Sequence, residues 1–363
     1  MSCRCLAFFL PALCLTGQTF QLAPVPPDPL ELVTGQTQVP SGAEQRSALV
    51  TLMENTLANH NLHLRGDNPY DLQVSFSAAA STLYPAAQGT LEETWLSGHD
   101  WRWTASLGSY SQLQLGSDAA VYGQNRAVMP MRLKTLRGAL FAPVPANGRR
   151  LTIRTAAVSW NGTALTCILT SAGGNAQMPA QGRQWYENEY CIDPATSTLR
   201  VLSIAPGIYV AYDYANGHKF HDHLLPGKIT VTENGATTVE AQIVSVTDAD
   251  PSNLALYTPT AQMLAQGPAP VADLPERFPM IQMSPDVAAG SVVQPVIVHT
   301  TMDQSGKILE IEALQSNAFT ARALQEVMQG GFGARPVPAG ASPQLREAYI
   351  NVQFRPMPSE QAN

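Results

Sequence analysis

Between about Tyr70 and Thr247 the chain is written in short runs whose apolar and polar residues alternate. Leu72-Gln73-Val74-Ser75-Phe76, Gly89-Thr90-Leu91-Glu92-Glu93-Thr94-Trp95-Leu96 and Trp101-Arg102-Trp103-Thr104-Ala105 are the first three. The pattern returns in Leu151–Thr155, Ile208–Tyr212, Lys228–Thr232 and Val239–Val244. A period of two sends alternate side chains to opposite faces, so each run predicts a half-buried strand. Asn161-Gly162, Asn216-Gly217 and Asn234-Gly235 are turn dipeptides that favour hairpins between neighbours. The expectation is a meandering antiparallel sheet of many strands. Its apolar face needs a partner, and a helix is predicted just upstream. Ser41 and Glu44 are spaced as a capping box, and Leu49, Val50, Met53 and Leu57 recur at helical intervals up to Asn59-His60-Asn61. The sheet should bury one face on that helix or curl around it. A second, short helix is expected over Leu133 to Leu140, ahead of the Pro-rich Ala142-Pro143-Val144-Pro145.

The C-terminal part is a separate pattern. Val292 to Thr301 reads as a strand, Met302-Asp303-Gln304-Ser305-Gly306 as a turn, and Lys307 to Leu314 as a second strand. A helical segment from Ala318 to Met328 follows, then the break Gly330-Gly331-Phe332 and a last alternating run, Ala348 to Phe354. Strand, hairpin, strand, helix, strand predicts a small two-layer ββαβ unit, and the fold class is α+β. Pro251, Pro259, Pro268, Pro270 and Pro275 lie among Ala, Gln and Gly, so 251–275 reads as an interdomain linker.

At 363 residues the chain suits two modest domains with tails. Its formal net charge of -7 argues against a general nucleic-acid or anionic-membrane binder. No apolar window is long enough to span a bilayer. Arg4 followed by the apolar run Leu6 to Leu15 and then Thr16-Gly17-Gln18-Thr19 reads as a cleaved secretory signal over 1–19; lipidation at Cys14 is the other reading. A Pro-rich spacer, 20–40, comes next. Export would leave Cys167 and Cys191 in the mature chain, where an oxidising compartment favours pairing over two buried thiols.

Reactive groups are sparse. His218, His221 and His223, near Asp222, could hold a divalent metal, or could simply be polar residues of an exposed turn. There is no Gly-x-Ser-x-Gly elbow, His-Glu-x-x-His or phosphate loop, so neither catalysis nor a cofactor is expected. Trp95, Trp101 and Trp103 could line a cavity; Trp101 and Trp103 share a face, which is also how they would pack on a helix.

The upstream helix, the strand order after it, the run Gly89 to Trp95 and Cys191-Ile192-Asp193-Pro194 together resemble the LolA-like lipoprotein carriers and receptors. That resemblance covers 41–250 and implies an incomplete barrel whose concave side accepts acyl chains. The hairpin around Asp303–Ile308, the segment Ala318 to Val327 and the closing Ile350-Asn351-Val352-Gln353-Phe354 resemble the TonB C-terminal domain, over 276–357 with a tail at 358–363. It implies an edge strand able to pair with an extended segment of an outer-membrane transporter or another envelope protein. The candidate edge is Tyr349, Ile350, Asn351, Val352, Gln353 and Phe354, the alternative being a central strand or one covered by the neighbouring domain. The expected function is non-catalytic binding or adaptor work in the periplasm, with a lipid or acyl ligand in the β-rich domain. A membrane-anchored TonB-type energy transducer is the alternative.

Overall fold

The structure, a computed structural model, describes residues 32–64, 66–80, 85–117, 120–125, 127, 129–171, 182–183, 187–205, 207–233, 235–268, 276–287, 296–303, 305, 307–313, 319–330 and 346–356. The expected signal at 1–19 and the tail at 358–363 lie outside these residues. The chain opens with α1 (Ala43–His60) and the strands β1 (Tyr70–Ala78), β2 (Ala87–Trp95), β3 (Trp101–Leu107), β4 (Tyr110–Ser117) and β5 (Ala120–Gly123). Helix α2 (Met131–Phe141) interrupts the meander, as its apolar spacing predicts. The strands resume as β6 (Thr152–Trp160), β7 (Thr163–Ser171), β8 (Asn188–Asp193), β9 (Thr198–Ala205) and β10 (Ile208–Asp213). A small hairpin, β11 (His218–Phe220) and β12 (His223–Leu225), leads to β13 (Lys228–Glu233) and β14 (Ala236–Asp248). After a short helix α3 (Ala261–Gln266) come β15 (Glu276–Val287), β16 (Val296–Met302), β17 (Ile308–Ala313), α4 (Thr320–Gly330) and β18 (Arg346–Pro356).

Twelve strands form one sheet in the order β5-β4-β3-β2-β1-β14-β13-β10-β9-β8-β7-β6. Each meander ends where β1 meets β14, so the sheet joins two halves and is open at β5 and β6. Flat, twelve strands would span roughly 50 Å at their usual spacing. Yet one buried cluster runs from Trp103 on β3 through Leu72, Val74, Val239, Val231 and Val210 to Ile168 on β7, and it includes α1 and α2. Two helices, each about 10 Å across, cover so many strands only if the sheet curls around them. The result is an open trough with α1 and α2 inside. Of α1, Leu49, Val50 and Met53 face inward; of α2, Leu133, Leu136, Ala139, Leu140 and Phe141.

Several boundaries differ from the sequence expectation. Helix α1 has Gly42 as its N-cap and no side-chain cap. Instead of Ser41 capping the helix, Gln45 Oε1 accepts from Ser41 N at 2.6 Å. Residues 32–38 are not part of a spacer. Leu32 and Val33 pack on the outer face of the sheet with Leu165, Leu169, Val201 and Tyr209, and Gln38 bridges to Thr155 by two backbone hydrogen bonds. Residues 251–266 are likewise no bare linker. A 3₁₀ turn at Leu254–Tyr257 and α3 lie against β3, β4 and β5, anchored by buried Tyr257 and Met263. Thr260 caps α3, its hydroxyl accepting from Met263 N at 3.2 Å.

Cys167 on β7 lies directly opposite Cys191 on β8, with Cα atoms 3.9 Å apart and the sulfurs at bonding distance. Both are buried on the outer face beneath Val33. Closing a loop of 24 residues should stabilise the fold by about 3–4 kcal/mol. Reduction is therefore expected to lower the urea midpoint, and thiol labelling of the unreduced, unfolded chain should find neither cysteine free. Labelling of both would remove the bridge.

The C-terminal unit is a four-stranded sheet ordered β15-β18-β16-β17 with α4 on one face. Val296, Val298, Met302, Ile311, Ile350 and Val352 pack there against Ala323 and Val327. It has one strand more than the expected ββαβ. Strand β15 runs parallel to β18, pairing Glu276 with Ala348 and Met283 with Phe354. On its other side β18 is antiparallel to β16, pairing Ile350 with Val298. Of the candidate edge, Tyr349, Ile350, Asn351 and Val352 are therefore interior, between β15 and β16, while Gln353 and Phe354 run past the end of β16 and pair with β15 alone. The edges are β15 and β17.

Candidate binding site

The trough's inner face carries the buried apolar cluster of the large sheet, and α2 packs against it. Trp95 and Trp103 line that face and are buried behind α2. Trp101, partly buried, lies flat across Gly116 on β4, where any Cβ would meet its ring within 2.1 Å. Arg137 of α2 stacks over Trp103 at 4.7 Å and Trp101 at 5.8 Å from the ring centroids. A guanidinium on an aromatic face is held by the ring quadrupole while its stem packs as hydrocarbon. The three tryptophans thus line the trough, but the space in front of them is filled by helix.

One end of the trough carries a polar and aromatic mouth. Glu93 alternates with Leu91 and Trp95 on β2 and so points inward, where its side chain is fully buried. Tyr70 donates to Glu93 Oε2 at 2.6 Å, and His63 Nε2 lies 2.8 Å from the same oxygen. Burial, then the Glu93 charge, holds the Tyr70 hydroxyl well above its ordinary range. Around this group His63 stacks on Phe141, the last residue of α2, at 4.7 Å, and on Trp95 at 5.9 Å. Tyr70 stacks on Trp95 at 5.8 Å and meets Phe220 edge-on at 6.3 Å. The mouth therefore ties the C-terminal end of α2 to β1, β2 and the β11–β12 hairpin.

His60 closes the other side of this mouth. Its Nε2 accepts from Leu199 N at 3.0 Å, so Nδ1 carries the proton and donates to the Leu224 carbonyl at 2.9 Å. Burial pulls its pKa down to about 4, keeping the imidazole neutral. The metal candidates do not assemble. His218 Nε2 lies 3.0 Å from the Ile243 carbonyl, His221 Nε2 2.6 Å from Asp248, and His223 Nε2 3.5 Å from Asp67. Each imidazole has turned to a different acceptor on the trough rim. Among the described residues the one three-ligand group is Cys167, Glu189 and Cys191, whose two sulfurs are joined to each other.

Residues that sequence reasoning passed over hold the site together: His60, His63, Tyr70, Glu93 and Arg137. The signal for Glu93 was present, because a carboxylate stands in register with two large apolar residues on a strand. At its other end α2 meets the C-terminal sheet through Arg132, which donates to Glu312 at 2.6 Å and Glu233 at 3.1 Å. No helix among the described residues is long and apolar enough to cross a membrane.

No family model and no curated protein matches this chain. Among solved structures, a LolA superfamily protein from Nitrosomonas europaea is similar over 58% of this chain and 97% of its own, at 8% identity and a TM-score of 0.39. A putative outer membrane lipoprotein-sorting protein domain from Vibrio parahaemolyticus is similar over 59% of this chain and 98% of its own, at 8% identity and a TM-score of 0.35. The likeness lies over the large β domain.

Proposed function

We propose that this chain is a non-catalytic binding protein of the cell envelope, whose trough takes up a lipid or other acyl chain when α2 moves aside. The observation that carries the reading is the content of the trough. An apolar face of twelve strands is covered there by two helices, of which α2 is only 11 residues long and carries an exposed Gly138 in its C-terminal half. Such a surface serves equally well for a hydrocarbon chain, because burial is non-directional and scales with apolar area. The polar groups at the mouth would meet a ligand's head, and the aromatic stack at Phe141 is the contact that has to open. The cysteine pair supports an oxidising compartment, in keeping with the expected export. A partner strand, if an envelope protein is recruited as in TonB-type domains, would add at β15 or β17, since β18 is interior.

Titration with a fluorescent polyene fatty acid tests the reading. Saturable binding near one probe per chain, displaced by an unlabelled fatty acid, is expected. Phe141→Ala, which frees one end of α2, should bind more tightly than the native chain. Fluorescence that rises without saturation in both proteins would sink the acyl reading.

A further inference from the structure

The first turn of any helix leaves amide donors without partners inside the helix. Pro130, the N-cap of α2, supplies no side-chain acceptor. The acceptor comes instead from a strand 179 residues away: Met131 N donates to Glu310 Oε2 of β17 at 3.3 Å. Arg132 donates to Glu312 of β17 at 2.6 Å, to Glu233 at the end of β13 at 3.1 Å, and to the carbonyls of Ala79 and Ala80. On β16, Ile297 belongs to the trough's own apolar cluster, and His299 is buried where it feels the Lys134 charge. The register explains how one strand serves both sides. Glu310 and Glu312 flank Ile311, so β17 offers Ile311 to α4 and its two carboxyl groups to α2.

We propose that the four-stranded C-terminal sheet is a latch holding α2 in the trough, and that withdrawal of Glu310 and Glu312 from the first turn of α2 is what lets the trough open. The role in opening rests on the acyl-binding reading above; the latch itself concerns two parts of this chain and can be tested without any ligand. Anions at a helix N-terminus are favourable there and lose that partner when the sheet withdraws. The groups that meet at this contact are Arg132 and Lys134 of α2, Glu233 of β13, Glu310 and Glu312 of β17, and His299 of β16. Burial, and next to it Glu233, holds the Glu312 carboxyl up at about 7. Burial holds His299 down at about 3, so it stays neutral across the same range. A carboxyl whose pKa is raised by docking favours docking below its ordinary pKa and loses that contribution as pH rises through about 7. The latch therefore loosens toward alkaline pH.

Hydrogen exchange read by mass spectrometry on the full chain tests this. In the Glu310→Ala/Glu312→Ala variant, the amides of α2 should exchange about tenfold faster or more, as loss of charge-assisted hydrogen bonds implies. Amides of β7 to β9 should keep native rates. Glu312→Gln, which retains size and a hydrogen-bond acceptor, should remove the acceleration of α2 exchange between pH 6 and 8 that the native chain shows beyond intrinsic chemistry. Equal protection of α2 in the native chain and the double variant would overturn the latch, and so would acceleration spread evenly over β7 to β9. The polyene probe separates the two readings. Faster α2 exchange with no probe binding in either protein would leave the latch and remove the acyl ligand; probe binding with unchanged exchange would do the reverse.

Discussion

Replacing Arg154 by Met is expected to cost about 3–5 kcal/mol, the usual consequence of stranding a buried carboxylate. Arg154 stands on β6, exposed by only 1%, and donates from Nε to Glu187 Oε1 at 2.7 Å and from Nη2 to the second oxygen. Nη1 donates to the Thr37 hydroxyl, and Nη2 also reaches the Gly182 carbonyl at 3.2 Å. The residue thus pins the N-terminal segment and the residues before β8 to the outer face of the sheet. Removing it takes the bidentate guanidinium away from Glu187, which is also fully buried. The loss should appear as a lower urea midpoint with little change in slope, and as new proteolysis within 32–38. Arg154→Met combined with Glu187→Leu should recover more than half of it, because two apolar groups of similar volume leave no charge behind. A single variant within 1 kcal/mol of the native chain would show that the pair is not buried as described.

That interaction was invisible in the sequence for a reason that applies to most of what was missed. Alternation is local, so Leu72 to Phe76 or Lys228 to Thr232 announce their strands, and both faces, from five residues. Helical spacing is local too, and α2 over Met131–Phe141 and α4 over Thr320–Gly330 lie close to their expected bounds. Which strand lies beside which is not local. Nothing in Tyr349 to Phe354 says whether a partner waits on one side or two, and the answer is held by β15, far upstream, where Glu276 pairs with Ala348. Strand β15 contains Pro279, which an edge strand accommodates on the side where no donor is needed. The same holds for residues 251–266, where prolines hid the period while Tyr257, Thr260 and Met263 supplied anchors. At the mouth, Glu93, Tyr70 and His63 come from two strands and a loop. Each alone is an ordinary residue; only pairing β1 with β2, Tyr70 opposite Trp95, brings the hydroxyl to the carboxylate. The latch was hidden in the same way, because Glu310 and Glu312 alternate with apolar residues just as solvent-facing carboxylates on a two-layer sheet do.

Acidification should destabilise this fold well before its carboxylates are protonated, and the histidines say where. His60 is buried with both ring nitrogens engaged, one as donor to Leu224 and one as acceptor from Leu199. A second proton would have to displace the Leu199 amide from Nε2 and carry a charge into apolar surroundings. The cost is registered as a pKa of about 4 against an ordinary 6.5, with burial as its first cause. A histidine whose folded pKa is depressed leaves the unfolded chain as the better proton acceptor. Stability is therefore full above about 6.5, falls as pH drops, and levels off below about 4. At 1.36 kcal/mol per unit the loss from His60 is about 3 kcal/mol. His299, held down at about 3 by burial and then by Lys134, adds a loss of similar or larger size over a window that extends further into acid. The two sit at different places, His60 between α1, β9 and β12, and His299 under α2 in the C-terminal sheet. His60→Gln, which keeps a donor and an acceptor, should therefore flatten only its own part of a stability profile measured by urea between pH 7.5 and 4. It should also retain native protection of α1 amides at pH 4.5, where those of the native chain begin to exchange. A profile flat from pH 7 to 4 in the native chain would mean that His60 is solvated at the mouth, and the closed trough that contains it would have to be abandoned.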